Sequence, residues 1–209
     1  MNQTSGNKTR LTDRKRAAIM EAAVSEWKQQ GYDNTSMDRI AEVASVSKRT
    51  VYNHFPSKEE LFAAIVAELM SRCQIMKEFD FDPKKSISSQ LTAIGKTAVE
   101  LMTSTEFQDL ARVTLSRFLQ SPEIASEMLI ETTQVEAELA VWFKTTHEAG
   151  LLRVPDPTLA AKQFLGLIQS FAFWPPLIGK EPPLTTPQKK AVVKSTVNMF
   201  LDHYKPSNL

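Results

Sequence analysis

The chain has 209 residues, of which 42% are hydrophobic and 23% charged, and its formal net charge is +1. These are ordinary globular values, enough for one domain with a sizeable core or for two small ones. The single cysteine, Cys73, excludes an intrachain disulfide and a cysteine-based metal cluster, and bulk charge alone does not announce a nucleic-acid partner.

The distribution of charge says more. Residues 1–55 carry nine Lys/Arg against six Asp/Glu, a balance of +3, and the remainder carries 16 against 18, a balance of −2. A basic head on a mildly acidic body points to an anionic partner at one end. Residues 1–11 read as a disordered basic arm, with Lys8 and Arg10, and lack the apolar stretch of a signal peptide. From Asp13 the stripe Ile19, Ala22, Ala23, Glu26 and Trp27 predicts a helix that Gly31 stops.

Residues 35–58 predict two short helices joined by a tight turn. Thr35 or Ser36 caps the first, whose Met37, Ile40, Ala41 and Ala44 fall at helical spacing. Ser45-Val46 makes the corner, and Ser47 caps a second helix that ends before Pro56. That second helix carries Lys48, Arg49, Thr50, Tyr52, Asn53 and His54 and almost no acid, a surface suited to phosphates and base edges; Val51 and Phe55 belong to the core.

Ser57 with Glu60 fits a capping box and opens a long helix bearing Leu61, Phe62, Ile65, Val66, Leu69 and Met76. Residues 80–86, with Pro83, read as the boundary between head and body. Beyond it, apolar spacing predicts helices over 87–102, over 106–120, from Ser121-Pro122 toward Gly150, over 158–174 and over 188–204. The proline-rich residues 175–187 read as a non-helical connector. No stretch alternates as a strand would, so the fold class is all-α. The greasiest segment, 164–178, is too short and too interrupted by Gln169, Ser170 and Pro175-Pro176 to span a bilayer, and a cytoplasmic protein is expected.

The run Gly31-Tyr32-Asp33-Asn34-Thr35-Ser36-Met37-Asp38-Arg39-Ile40-Ala41, followed by residues 44–62, resembles the DNA-binding domain of the TetR family of transcriptional regulators over about residues 12–72. The body resembles the AefR-like group of that family through Ala149-Gly150-Leu151-Leu152, Pro155-Asp156-Pro157, Gln163-Phe164-Leu165-Gly166-Leu167 and the tryptophan-proline end of that helix. Two departures are Ser45, where the family often has glycine, and Arg49, where it often has a small residue. The resemblance implies a three-helix helix-turn-helix head over 12–72, a helical ligand-binding and dimerisation domain over 73–209, a homodimer, a recognition helix in the major groove of an operator, and a body that senses a small molecule.

The residues agree on mechanism. Lys48 and Arg49 are candidates for guanine contacts, Asn53 for adenine and Thr50 for a thymine methyl. Tyr52, His54, Lys58, Ser47 and Thr35 or Ser36 would position the DNA backbone, and the arm with Lys8, Arg10, Arg14, Lys15 and Arg16 would add minor-groove or phosphate contacts. Against catalysis, Gly95-Lys96-Thr97 lacks the opening glycine of a phosphate loop and lies inside a helical pattern, and His54, His147 and His203 are scattered without metal-ligand spacing. No enzyme, metal or cofactor is expected.

A pocket for an effector of apolar or amphipathic character would draw on Leu91, Ile94, Met102, Phe107, Leu110, Thr114, Arg117, Phe118, Met128, Thr132, Val135, Leu139, Phe143 and Phe171, although taken singly each is better read as filling the core. The last two helices carry apolar surface (Leu159, Phe164, Leu167, Ile168 and Phe171, then Val193, Thr196, Val197, Phe200 and Leu201) to cover that core and pair with a second copy. The expectation is a ligand-responsive, dimeric DNA-binding regulator, a repressor of a palindromic operator; the alternative is a ligand-binding or interaction protein whose head no longer reads DNA.

Overall fold

The computed structural model describes residues 4–77, 79–121, 123, 125, 132–179 and 181–206, with side chains from residue 12 onward apart from residue 77 and residues 132–133. Its elements are the helices α1 (Thr4–Gln30), α2 (Met37–Val43), α3 (Lys48–His54), α4 (Lys58–Cys73), α5 (Ile87–Thr103), α6 (Thr105–Gln120), α7 (Thr132–Glu148), α8 (Pro157–Ala172), α9 (Trp174–Ile178) and α10 (Thr186–His203), with one 3₁₀ turn at Gln74–Lys77. The all-α expectation holds.

The chain forms two compact units, Met1–Leu69 with Asp109–Ile124, and Met70–Gln108 with Ala125–Leu209. In the first, α1, α2 and α3 pack on one another. Ile19, Ala23 and Trp27 of α1, Ile40 and Ala41 of α2, Val51 of α3, and Leu61 and Ile65 of α4 are buried. The Tyr32, Trp27 and Phe62 rings meet at 5.0–6.0 Å, and Phe118 of α6 stands edge-on to Phe62 at 6.3 Å. Gly31 ends α1 at φ +83, where a Cβ is strained, and its N–H returns to the Trp27 carbonyl at 3.0 Å.

In the second unit α8 packs against α5, α7, α9 and α10, and α5 against α10. Its centre is aromatic: Phe143, Phe164 and Phe200 meet pairwise at 5.1–6.2 Å, and Phe143 and Phe164 are fully buried. Gly95 lies where a Cβ would come within 3.2 Å of Val193 on α10, so this glycine serves a close helix crossing and not a phosphate loop.

Several boundaries differ from expectation. Residues 4–11, read as a disordered arm, are the first turns of α1; they hold no proline and one glycine, so nothing local stops the helix. The connector contains the short helix α9, because Pro175 and Pro176 occupy a first turn, where a proline breaks no hydrogen bond. α8 accordingly ends at Ala172, and α10 starts at Thr186 behind a Thr185–Gln188 capping box. The head–body boundary does not follow chain order: residues 109–124 join the unit of the N-terminal head, through a Lys28–Asp109 ion pair at 2.6 Å as well as Phe118. Pro122, Ile124 and Met128 lie outside the described residues, as does the side chain of Thr132.

Candidate nucleic-acid interface

Ser36 caps α2, its hydroxyl accepting from the Arg39 N–H at 3.1 Å, and Ser47 caps α3, accepting from the Thr50 N–H at 3.1 Å. Between them the chain turns on Ser45, which adopts φ 54, the left-handed conformation that favours glycine. The Ser45 and Val46 N–H groups close the end of α2 on the Glu42 and Ala41 carbonyls, both at 3.0 Å. The departure from glycine noted at this corner is thus a residue held in a costly backbone region.

α3 rests on Val51, fully buried, with Phe55 at 3% exposure behind it. Its outward residues are Lys48, Arg49, Tyr52 and Asn53; Thr50 and His54 are half-buried, and Ser36 and Ser47 are exposed. The Ser47 and Thr50 hydroxyls lie 2.8 Å apart, which fixes the first turn. Nothing acidic lies on the helix itself. Arg49 forms no hydrogen bond or ion pair among the described residues, whereas the Lys48 ammonium is paired with Asp38 on α2, which raises its pKa through the charged hydrogen bond.

Two predicted contact residues are also engaged within the head. Thr35 is 3% exposed, and its hydroxyl donates to the Gly31 carbonyl at 2.9 Å, closing the bend after α1 and leaving the cap of α2 to Ser36. Lys58 donates to the Thr35 carbonyl at 2.9 Å and the Asp33 carbonyl at 3.4 Å and stands over the Tyr32 ring; burial lowers its pKa. The Thr35 hydroxyl is held four residues back, whereas the partners of Lys58 lie more than twenty residues away in sequence.

The sequence reading did not single out four further features of the head. Glu26, 5% exposed, receives the Arg39 guanidinium through Nε at 3.0 Å and Nη2 at 3.4 Å, with Glu42 on its other side. An acid within the apolar stripe of α1 is the signal that calls for such a partner. Arg16 lies 5.0 Å over Phe55, at the end of α3. Asp38 holds Lys48. Tyr32 takes the Arg117 guanidinium at 4.6 Å, and the same arginine pairs with Asp33 at 3.8 Å.

The predicted pocket residues fall in both units. Leu110, Thr114, Arg117 and Phe118 belong to the first unit, where Arg117 stands over the Tyr32 ring and pairs with Asp33. In the second unit Leu91, Ile94, Met102, Phe107, Leu139 and Phe143 are buried, Val135 is half-buried and Phe171 is 54% exposed. A groove of about 570 Å³ in that unit runs instead between α8 and α10, lined by Gln163, Gly166, Leu167, Ser170, Met199, Phe200, His203 and Tyr204. Helical spacing alone does not separate a closed core stripe from one that opens on a groove.

Comparison with known proteins places this architecture. Residues 19–65 match the family described as bacterial regulatory proteins, tetR family, and residues 89–206 match the AefR-like transcriptional repressor, C-terminal domain. The chain is 40% identical to a TetR family transcriptional regulator from Pseudomonas syringae pv. tomato str. DC3000, whose crystal structure superposes with a TM-score of 0.78 over 92% of this chain and 97% of that one. It is 30% identical to the HTH-type transcriptional regulator YhgD of Bacillus subtilis (strain 168), over 81% of this chain and 90% of the relative. The solved flavonoid-responsive regulator FrrA is 26% identical, with a TM-score of 0.68 over 94% of this chain and all of that one. With a helix pair joined by a left-handed corner in its head and a body matched over most of its length, the protein belongs to the TetR family of transcriptional regulators.

Proposed function

We propose that the protein is a cytoplasmic repressor that binds a palindromic operator as a homodimer and leaves it when a small apolar or amphipathic effector binds its body. The observation that carries this reading is the outward face of α3, where Arg49, Tyr52 and Asn53 stand free of acid on a rigid base of Val51 and Phe55. Arg49 takes guanine O6 and N7, Asn53 an adenine edge, and Ser36, Ser47, Tyr52 and His54 the adjoining phosphates. The apolar groove between α8 and α10, with Met199 56% exposed beside it, supports an isologous contact between copies. Such a dimer sets its recognition helices roughly 34–36 Å apart, one DNA turn. An effector that binds a differently spaced dimer better shifts the population away from the operator. FrrA is a flavonoid-responsive regulator, which supports a ligand-responsive body.

The test is selection of bound fragments from the source genome, followed by binding of wild type and Arg49→Ala. Loss of about 10-fold to 100-fold in affinity for the selected duplex, with relaxed preference at one base pair, is expected. An unchanged sequence preference in Arg49→Ala overturns the base-reading assignment. An affinity that barely moves with salt in the wild type overturns operator binding and leaves a head that no longer reads DNA.

A further inference from the structure

The first turn of α3 holds two cations in different circumstances. Arg49 is unpaired among the described residues, while Lys48, on the same turn, is tied across the corner to the carboxylate of Asp38 in the first turn of α2. Both partners are accessible, Lys48 at 64% and Asp38 at 46% side-chain exposure, so the pair is a surface one that a stronger acceptor displaces. The neighbouring cation of α2 does not compete for Asp38, because Arg39 is spent on Glu26 and Glu42. A lysine is a flexible point charge that settles on any phosphate within reach. A lysine held by a carboxylate leaves it only for an acceptor in the right place.

We propose that Asp38 is a positioning residue for specificity: it holds Lys48 back from indiscriminate phosphate contact and releases it where the operator offers a matching base-edge or phosphate acceptor. In complexes with unrelated DNA the Lys48–Asp38 pair stays closed and Lys48 adds no phosphate contact. On the operator Lys48 exchanges Asp38 for DNA. The proposal rests on the reading of α3 as the recognition helix.

The experiment compares full-length wild type, Asp38→Asn, Lys48→Gln and the double variant. Each is titrated across a salt series with a duplex selected from a randomised library by the wild type and with a mixed-sequence duplex of the same length. For Asp38→Asn, mixed-sequence affinity should rise about 5-fold near ~0.15 M salt, with a log–log salt slope steeper by about one. Affinity for the selected duplex should change less, so the specificity ratio falls. In the Lys48→Gln background, Asp38→Asn should have no effect on either duplex. A simple loss of negative charge near DNA would raise affinity in both backgrounds, and that result overturns the proposal while leaving DNA reading intact. Absence of any salt-dependent preference in the wild type overturns both. Thermal melting shows whether Asp38→Asn folds; if it does not, Asp38→Ser, which keeps a polar residue at the helix start, enters the same cycle.

Discussion

The ammonium of Lys58 stands 4.3 Å from the centroid of the Tyr32 ring. Its protons also go to the Thr35 and Asp33 carbonyls, so α4 is fastened by one side chain to the bend that leads into α2. Lys58→Met should therefore destabilise the head by about 1–2 kcal/mol, the sum of a cation–π contact and hydrogen bonds from a charged donor discounted for partial exposure. Denaturant unfolding measures the loss. The base preference of DNA binding should be left nearly unchanged in this variant, whereas Arg49→Ala should relax it at one base pair.

Ser45 occupies the left-handed region at φ 54. That conformation costs an ordinary residue about 1–2 kcal/mol and glycine almost nothing, so Ser45→Gly should stabilise the protein by about 1 kcal/mol. Ser45→Val, branched at Cβ, should destabilise it. Thermal melting of the three proteins gives the order Gly above Ser above Val; a Val variant as stable as the Gly variant would contradict the corner geometry.

Arg39 neutralises the buried Glu26 carboxylate with two guanidinium nitrogens. Arg39→Ala strands that charge and should lower stability, an effect tempered by the 55% exposure of the arginine side chain. Adding Glu26→Gln should recover much of the loss, because an uncharged amide is cheaper to leave without its cation. A double-mutant cycle in urea measures the coupling; strictly additive losses would show that the pair is idle.

Burial, reinforced by the Glu59 carboxylate, pushes the Tyr32 phenol from 10.0 up to about 12. Because the folded value is raised, the protonated ring contributes stability that is whole below pH 10 and is lost as pH climbs toward about 12. Ultraviolet titration of the folded protein should show late phenolate formation from Tyr32 and from Tyr204, which burial also raises, and Tyr32→Phe should remove part of that late absorbance. A titration curve identical in the two proteins would refute the assignment.

Much of the architecture was legible because its signals are local. Ser47 two residues after the corner, Pro56 after Phe55, and Gly31 after Trp27 are starts and stops that act through a few hydrogen bonds of the same turn. The inward face of α3 was legible for the same reason: Val51 and Phe55 lie one helical turn apart. The Pro175-Pro176 pair misled, since proline breaks a helix interior yet opens a helix easily, and only the surrounding packing tells which applies.

Residue order therefore determined the all-α fold, the helix pair of residues 35–58 and the chemistry displayed on its second helix, all consequences of periodicity and capping within a few residues. The tertiary structure alone decided which polar and charged side chains are available. Lys58 and Thr35 turn inward, Lys48 is held by Asp38, Arg117 goes to Tyr32 and Asp33, and Arg49 is left open. Each partner stands on a different element from the residue it holds or across a turn from it. Charge pairing depends on distance in space, which sequence spacing fixes only within one helix or turn.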